Sequence, residues 1–132
     1  MRSHEEQTTI RFEDADPAGV IFYPRAIALA HAVVENLIRR SPLGWDAWFA
    51  SPEYAAPLRH AEADFLRPMR TGEALTARAS VEKLGETSVT FLVEFLDSQG
   101  RAAARIRTVH VLIDKRSGSA IPLTAEIRSG LA

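Results

Sequence analysis

The sequence Arg11-Phe-Glu-Asp-Ala-Asp-Pro-Ala-Gly-Val-Ile-Phe-Tyr-Pro24 carries an acidic pair through a turn and into the longest helical pattern of the chain. At the beginning of this stretch and just before it, Thr8, Ile10 and Phe12 alternate with polar residues. This alternation has the two-residue period of a half-buried strand. From Pro24 onward, apolar residues recur at helical spacing. The stretch is therefore predicted to cross from a strand into a helix.

Asp16 is the residue of this crossing that we interpret as the working group. Pro17 disfavours a helical backbone at Asp16, and Gly19 tolerates backbone angles that are closed to other residues. A carboxylate at such a position is predicted to be held in place. Two structural alternatives stay open, in which Asp16 caps a helix that begins at Pro17 or makes an Asx-turn.

Composition places the chain among ordinary globular proteins. Its 132 residues predict one domain, residues 1–132, and a net charge of −1 does not favour nucleic acid as a partner. The absence of cysteine excludes disulfides, thiol catalysis and thiolate metal sites. Neither a signal-peptide core nor an apolar run of membrane-spanning length is found, so we expect a cytoplasmic protein without a membrane partner.

The helix that follows the crossing is predicted over residues 24–40. Five apolar residues fall on one face, and Ser41-Pro42 ends the pattern; the five are Ile27, Ala30, Val34, Leu37 and Ile38. A short helical piece is predicted over residues 45–49, before an irregular connection rich in large apolar groups. Such a connection can line a pocket or pack on the core as a lid.

Strands dominate the chain after Pro57, and they are predicted over residues 59–68, 73–84, 87–96 and 102–114. The connections are short enough for antiparallel turns, which predicts a four-stranded meander. Apolar residues alternate from Val89 to Phe95, and again through Val109, Val111 and Ile113. A terminal helical turn is predicted over residues 125–128.

These elements predict an α+β fold in which a five-stranded antiparallel sheet curls round one long helix. The sheet has two open edges, and the later strands show apolar residues on both faces. Open edges and apolar faces of this kind are normally covered by a partner, so we expect a homo-oligomer.

Candidate chemistry outside the crossing is sparse, because no serine-hydrolase elbow or nucleotide-binding loop is found. His60, Glu62 and Asp64 share one strand face and could ligate a metal, although we expect none. His31 and Glu35 are one helical turn apart. This spacing is compatible with a catalytic dyad and with an ordinary surface pair. Five basic residues could bind phosphates or form a solvated rim; they are Arg67, Arg105, Arg107, Lys115 and Arg116.

Three segments together resemble a known family. Asp16-Pro-Ala-Gly-Val-Ile-Phe-Tyr-Pro24, between a strand and a long helix, resembles the active-site segment of hot-dog-fold acyl-CoA thioesterases of the 4-hydroxybenzoyl-CoA thioesterase group. His60-Ala-Glu-Ala-Asp-Phe-Leu-Arg-Pro68 and Gly72-Glu-Ala-Leu75 are similar to the second-strand signature of the 1,4-dihydroxy-2-naphthoyl-CoA hydrolase branch. The spacing of His31 and Glu35 after Asp16 also matches that branch.

The resemblance implies a hot-dog fold and hydrolysis of an aromatic acyl-CoA, of the dihydroxynaphthoyl or hydroxybenzoyl type. Asp16 would attack the thioester carbonyl or activate a water, and the backbone N–H of Tyr23 would hold the oxyanion. The further substrate contacts that it suggests are Gly19, His31, Glu35 and His60. Coenzyme A is part of the substrate, so no separate cofactor is expected.

The resemblance also implies a dimer of dimers with the site between subunits, and CoA phosphates on the five basic residues. A broad short-chain acyl-CoA or acyl-carrier-protein thioesterase, as in the Tol-Pal-associated branch, is the first alternative. A hot-dog hydratase is disfavoured because its motif is not found. A non-enzymatic acyl-CoA-binding protein is the alternative from another class, but it has no use for a positioned Asp16.

Overall fold

The computed structural model describes all 132 residues, as one long helix, two short helices and seven strands. In chain order the elements are β1 (Ser3–Thr9), α1 (Tyr23–Arg40), α2 (Gly44–Phe49), β2 (Tyr54–Ala55), β3 (Leu58–Phe65), β4 (Ala74–Leu84), β5 (Ser88–Leu96), β6 (Ala102–Val111), β7 (Ile113–Asp114) and α3 (Ala125–Leu131). None of the helices combines the length and the apolar composition needed to cross a membrane.

Five strands form one antiparallel sheet in the order β1-β4-β5-β6-β3, and β2 pairs with β7 in a small second sheet. Helix α1 packs against β4, β1 and β5. The predicted fold class, α+β with a five-stranded antiparallel sheet round one long helix, is confirmed. The small β2–β7 sheet was not predicted, because its strands are only two residues long.

The predicted four-stranded meander is wrong, since β3 pairs with β6 at the edge of the sheet and only β4, β5 and β6 follow one another. Residues 66–73 cross the end of the sheet to connect β3 with β4. The N–H of Leu66 donates to Ala103 at one edge, and the N–H of Gly72 donates to Ile10 near the other. The short connection between β3 and β4 suggested that these strands are neighbours. Instead, residues 66–73 cross the end of the sheet and form hydrogen bonds with residues near both edges.

The core lies between α1 and the sheet. The residues of α1 that it buries are Ala26, Ala30, Val33, Val34, Leu37 and Ile38. The predicted helix is confirmed to within one residue, and its predicted apolar face is confirmed except at Ile27, which is half-buried. On β5 the predicted alternation is confirmed, because Val89, Phe91, Val93 and Phe95 are all buried.

On β6 the predicted alternation has the wrong phase. The strand buries Ala103, Ala104, Ile106 and His110, whereas Val109 and Val111 are only half-buried. The outer face of the sheet carries charged residues together with the half-buried Leu92, Val109 and Val111, so the later strands do show apolar residues on both faces. A row of directly paired residues crosses all five strands, and it consists of Glu5, Arg78, Glu94, Arg105 and Asp64.

The strand β1 ends earlier than the alternation predicts. It stops at Thr9, and residues 12–14 form a single 3₁₀ turn. Phe12, predicted to be half-buried, is therefore 88% exposed, while Ile10 is fully buried as expected. The turn forms because the side chain of the residue two positions after Phe12 accepts a backbone hydrogen bond.

That side chain is Asp14, a fully buried carboxylate. One oxygen accepts the N–H of Arg11 at 2.9 Å, and the other accepts two bonds from the Arg25 guanidinium at 3.0 and 2.8 Å. The backbone C=O of Asp14 accepts the N–H of Phe22, directly before α1. Asp14 thus ties the end of β1 to the beginning of α1, and sequence reasoning treated it only as a turn residue.

We expect Asp14→Asn to lower the free energy of unfolding by about 2 kcal/mol, measured by urea denaturation. The carboxamide keeps one acceptor oxygen but turns an NH₂ group toward a buried N–H donor. The matched control is Glu13→Gln, because Glu13 is exposed and makes no side-chain hydrogen bond; its effect should stay within about 0.5 kcal/mol. Equal stability of the two variants would contradict the role of Asp14.

Candidate functional site

Asp16 is held by the backbone that follows it. Its Oδ1 atom accepts the N–H of Ala18 at 2.9 Å and that of Val20 at 3.4 Å. Gly19, with a φ of +77°, lets the chain turn back so that the Asp16 N–H reaches the Val20 C=O. The Asx-turn is therefore the observed geometry, and no helix begins at Pro17. It leaves Oδ2 of the half-buried carboxylate without a protein donor.

Tyr23 begins α1, and its backbone N–H donates to no protein acceptor. Pro24, the next residue, has no N–H. Unpaired N–H groups at a helix N-terminus, with the positive end of the helix dipole, attract negative charge. The N–H of Tyr23 is therefore a free donor at the electropositive end of the longest helix.

A cavity of about 560 Å³ brings these two groups together. We call it the Asp16 cavity; it is lined by Asp16, residues 20–23 and residues 65–69. One wall is the end of β3 and the beginning of the 66–73 connection, which is fixed to the crossing because the Ile21 N–H donates to the Met69 C=O at 2.8 Å. Asp16 and Tyr23 thus line the same largely apolar space.

A second cavity, of about 750 Å³, lies along the next turns of α1. We call it the inner cavity; it runs between α1, α2, residues 55–58 and the inner face of β6. Its walls include Pro24, Ile27, His31, Phe49 and His110. Trp48 and Phe49 of α2 both line this cavity, and Trp48 is also buried in the core, so the large apolar residues after α1 both line a pocket and pack on the core.

The structure separates the predicted substrate contacts. His31 lines the inner cavity and not the Asp16 cavity, and its Nε2 lies 3.9 Å from Glu35 Oε2, as in a loose surface pair. Gly19 lies beside Asp16 and holds the crossing through the Thr71 N–H. His60 is exposed, 3.8 Å from Glu62. No three His, Asp or Glu side chains are grouped to hold a metal.

His110 is the residue of the inner cavity that sequence reasoning passed over. It is buried, its ring packs edge-on against Trp48 and Phe91, and its Nδ1 lies 3.0 Å from the Ala56 C=O. Burial lowers the pKa of His110, although the bond to Ala56 opposes the shift. The sequence did contain an indication of its burial. His110 lies two and four residues after Thr108 and Ile106, so the three side chains share one face of the strand.

Of the five basic residues, only Arg67 lines the Asp16 cavity. Its guanidinium holds Glu73 at 2.6 Å, and this hydrogen bond lowers the pKa of Glu73. Arg105 and Arg107 bind Glu94 and Glu82 on the outer face of the sheet. Two remain outside both cavities: Lys115, which donates to the Ser51 C=O, and Arg116, which is exposed and makes no ion pair.

The chain is similar in sequence to enzymes of known activity. A 1,4-dihydroxy-2-naphthoyl-CoA hydrolase from Nostoc punctiforme is 34% identical over 119 residues, which cover 90% of this chain and 80% of the relative. The enzyme of that name from Trichodesmium erythraeum is 34% identical over 125 residues, with 92% and 90% covered.

Solved structures agree with the fold. A 1,4-dihydroxy-2-naphthoyl-CoA thioesterase from Synechocystis superposes with a TM-score of 0.86 at 21% identity, covering 98% of this chain and 95% of that one. The family model of the thioesterase-like superfamily matches residues 10–131, from the end of β1 through α3. The chain therefore belongs to the thioesterase-like superfamily, and its sheet round one long helix is the hot-dog fold.

Proposed function

We propose that this chain is a cytoplasmic acyl-CoA thioesterase that hydrolyses an aromatic acyl-CoA, with 1,4-dihydroxy-2-naphthoyl-CoA as the first candidate and a hydroxybenzoyl-CoA as the second. The observation that carries the proposal is the Asp16 cavity, which is lined by Asp16, whose Oδ2 has no protein donor, and by Tyr23, whose backbone N–H has no protein acceptor. The names of the relatives support the substrate class.

The chemistry divides between these two groups. The thioester carbonyl oxygen accepts a hydrogen bond from the Tyr23 N–H, where negative charge develops as the carbonyl carbon is attacked. Asp16 either forms the new bond to that carbon or removes the proton of the attacking water. Either route breaks the carbon–sulfur bond and, after addition of water, gives the free acid and coenzyme A.

One carboxylate is enough because of the leaving group. A thiol with a pKa of about 8.5 leaves as a thiolate without a proton donor, whereas an alcohol or an amine needs one. This difference accounts for a site in which no serine-histidine pair accompanies Asp16. It also argues for a thioester over an oxygen ester or an amide.

The alternatives are less well supported. A short-chain acyl-CoA or acyl-carrier-protein thioesterase would not need a second apolar cavity of about 750 Å³ along the helix. A non-enzymatic acyl-CoA-binding protein would need the cavities but not a carboxylate oxygen left open toward bound substrate. The free Oδ2 atom of Asp16 therefore favours an enzyme.

For the CoA phosphates, Arg67 is our first candidate among the five basic residues. It is the one that lines the Asp16 cavity, and its side chain is about one-third exposed. Arg105 and Arg107 already hold carboxylates on the outer face, on the other side of the sheet from α1. Phosphate binding by Arg67 would compete with Glu73 for one guanidinium.

We further propose that two copies pair through the free edge of β3, and that dimers pair again as the family resemblance implies. Since the Leu66 N–H points to β6, alternation directs the backbone groups of Ala61, Ala63 and Phe65 away from the sheet. Phe65, Leu66 and Leu58 expose apolar surface along this edge. Antiparallel pairing would place the Leu58 end of one strand beside the Phe65 end of its partner.

We expect Asp16→Asn to lower kcat by at least about 10²-fold on an aryl-CoA thioester, measured by release of free thiol. The carboxamide oxygen still accepts the Ala18 N–H, so the turn should persist while the charge is lost. Glu13→Gln is the control for a nearby exposed carboxylate and should keep parental turnover. Near-parental turnover of Asp16→Asn would exclude the mechanism.

We expect Arg67→Ala to raise KM for CoA thioesters about 5- to 10-fold with little change in kcat, because remote binding is lost without altering the carbonyl chemistry. The effect should disappear with pantetheine thioesters, which lack the nucleotide phosphates. Arg105→Ala is the matched control and should leave both substrates unaffected. Equal losses on both substrates would show that Arg67 acts only through Glu73 and the turn.

We expect Ala61→Pro to shift the protein toward monomers in light scattering at micromolar concentration. Proline removes an N–H that points to the free edge and leaves the bonds to β6 intact. Ala61→Ser keeps that N–H and should retain the parental mass. A monomeric parent protein would overturn the proposed assembly.

A further inference from the structure

The inner cavity is a largely apolar space whose lining includes one buried hydrogen-bond acceptor. It begins at Pro24, next to the free N–H of Tyr23, and follows one stripe of α1 through Ile27 to His31. Eight residues of helix separate Tyr23 from His31, which corresponds to about 12 Å along the axis. The cavity therefore has the length and the lining for a one- or two-ring aromatic group.

That acceptor is the Nε2 atom of His110. A backbone C=O only accepts hydrogen bonds, so the contact with Ala56 requires the hydrogen of the ring to be on Nδ1. A neutral imidazole with its hydrogen on Nδ1 carries a lone pair on Nε2, and no protein group donates to that atom. Trp48 and Phe91 fix the plane of the ring from two sides.

Burial favours the neutral form of this ring. It disfavours the imidazolium and lowers the pKa of His110, and the nearby His31 adds to the shift when charged. The other polar side chains of the cavity are not fixed as hydrogen-bond acceptors. His31 is half exposed at the rim, and Thr108 offers a rotating hydroxyl that can donate or accept. His110 alone is a buried, oriented acceptor.

We propose that the inner cavity takes the aromatic ring of the acyl group, and that a hydroxyl on that ring donates a hydrogen bond to Nε2 of His110. His110 is then a specificity-determining residue, which selects hydroxylated aryl groups over their deoxy analogues. The inference rests on the proposed thioesterase function and adds that the enzyme recognises a hydroxyl group on the aromatic ring of the substrate. An aryl group without the hydroxyl would leave a buried lone pair without a partner, which is the basis of strong discrimination.

Two substitutions separate the two nitrogens of the ring. His110→Asn places an N–H donor near the position of Nδ1, where it can keep the bond to Ala56, and removes the acceptor at Nε2. His110→Gln places an oxygen near the position of Nε2 and gives up the bond to Ala56. Loss of structure would affect both variants, whereas loss of the acceptor affects only the first.

The experiment measures kcat/KM for two pairs of substrates, 4-hydroxybenzoyl-CoA with benzoyl-CoA and 1,4-dihydroxy-2-naphthoyl-CoA with 2-naphthoyl-CoA. In the parent protein we expect at least one hydroxylated substrate to be preferred by about 10²-fold. His110→Asn should bring that ratio to within about threefold of unity, and His110→Gln should restore part of it. A parent ratio near unity, or an unchanged ratio in His110→Asn, would overturn the inference.

Calorimetric binding of the free acids distinguishes failure of this inference from failure of the proposed function. Hydroxynaphthoate should bind more tightly than 2-naphthoate to the parent, and this preference should be lost in His110→Asn. If no thioester is hydrolysed but the preference in binding persists, the thioesterase proposal fails and the role of His110 stands. If neither acid binds, as when a second copy of the chain fills the cavity, the role of His110 is refuted.

Discussion

The buried carboxylate of Asp14 is the interaction on which the rest of the site depends. A charge taken out of water is tolerated only when hydrogen bonds and an opposite charge replace its hydration, and Asp14 receives both from Arg11 and Arg25. These partners lie on either side of the crossing, so satisfying one carboxylate fixes the path of the intervening chain. Asp16 and Tyr23 occupy that path, and their positions follow from a charge that takes no part in the chemistry.

The 66–73 connection provides the second constraint. It bonds to Ile10, directly before the crossing, and to residues 19 and 21 within it, and its first residues form one wall of the Asp16 cavity. The site is thus held between two irregular segments, each satisfying the backbone groups of the other. Loops fixed on a rigid sheet commonly carry functional residues, because their backbone can present groups that strands and helices use internally. The free N–H of Tyr23 is one such group.

Sequence patterns predicted those parts of the fold that are set by local periodicity. The helix, β4, β5 and the inward face from Val89 to Phe95 follow from spacing alone. The position of β3 could not be predicted in this way, since pairing with β6 satisfies its backbone as well as pairing with β4 would. For the site, the turn and the helix start were predictable from Pro17, Gly19 and Pro24. The environment of His110 was not, because it depends on Ala56 and Trp48, which are distant in sequence.

The charged row on the outer face of the sheet has a consequence for how the sheet grows. An alternating row with an odd number of members begins and ends with the same sign, here with Glu5 on β1 and Asp64 on β3. Each open edge therefore carries a carboxylate, and a copy added in the same row would place two carboxylates side by side, which is unfavourable. Alternation also makes slippage costly, because displacing one strand by two residues takes the charge of that strand out of the row. The row thus opposes only those arrangements that continue it from copy to copy; antiparallel pairing of β3, which brings the Leu58 end beside the Phe65 end, does not continue it.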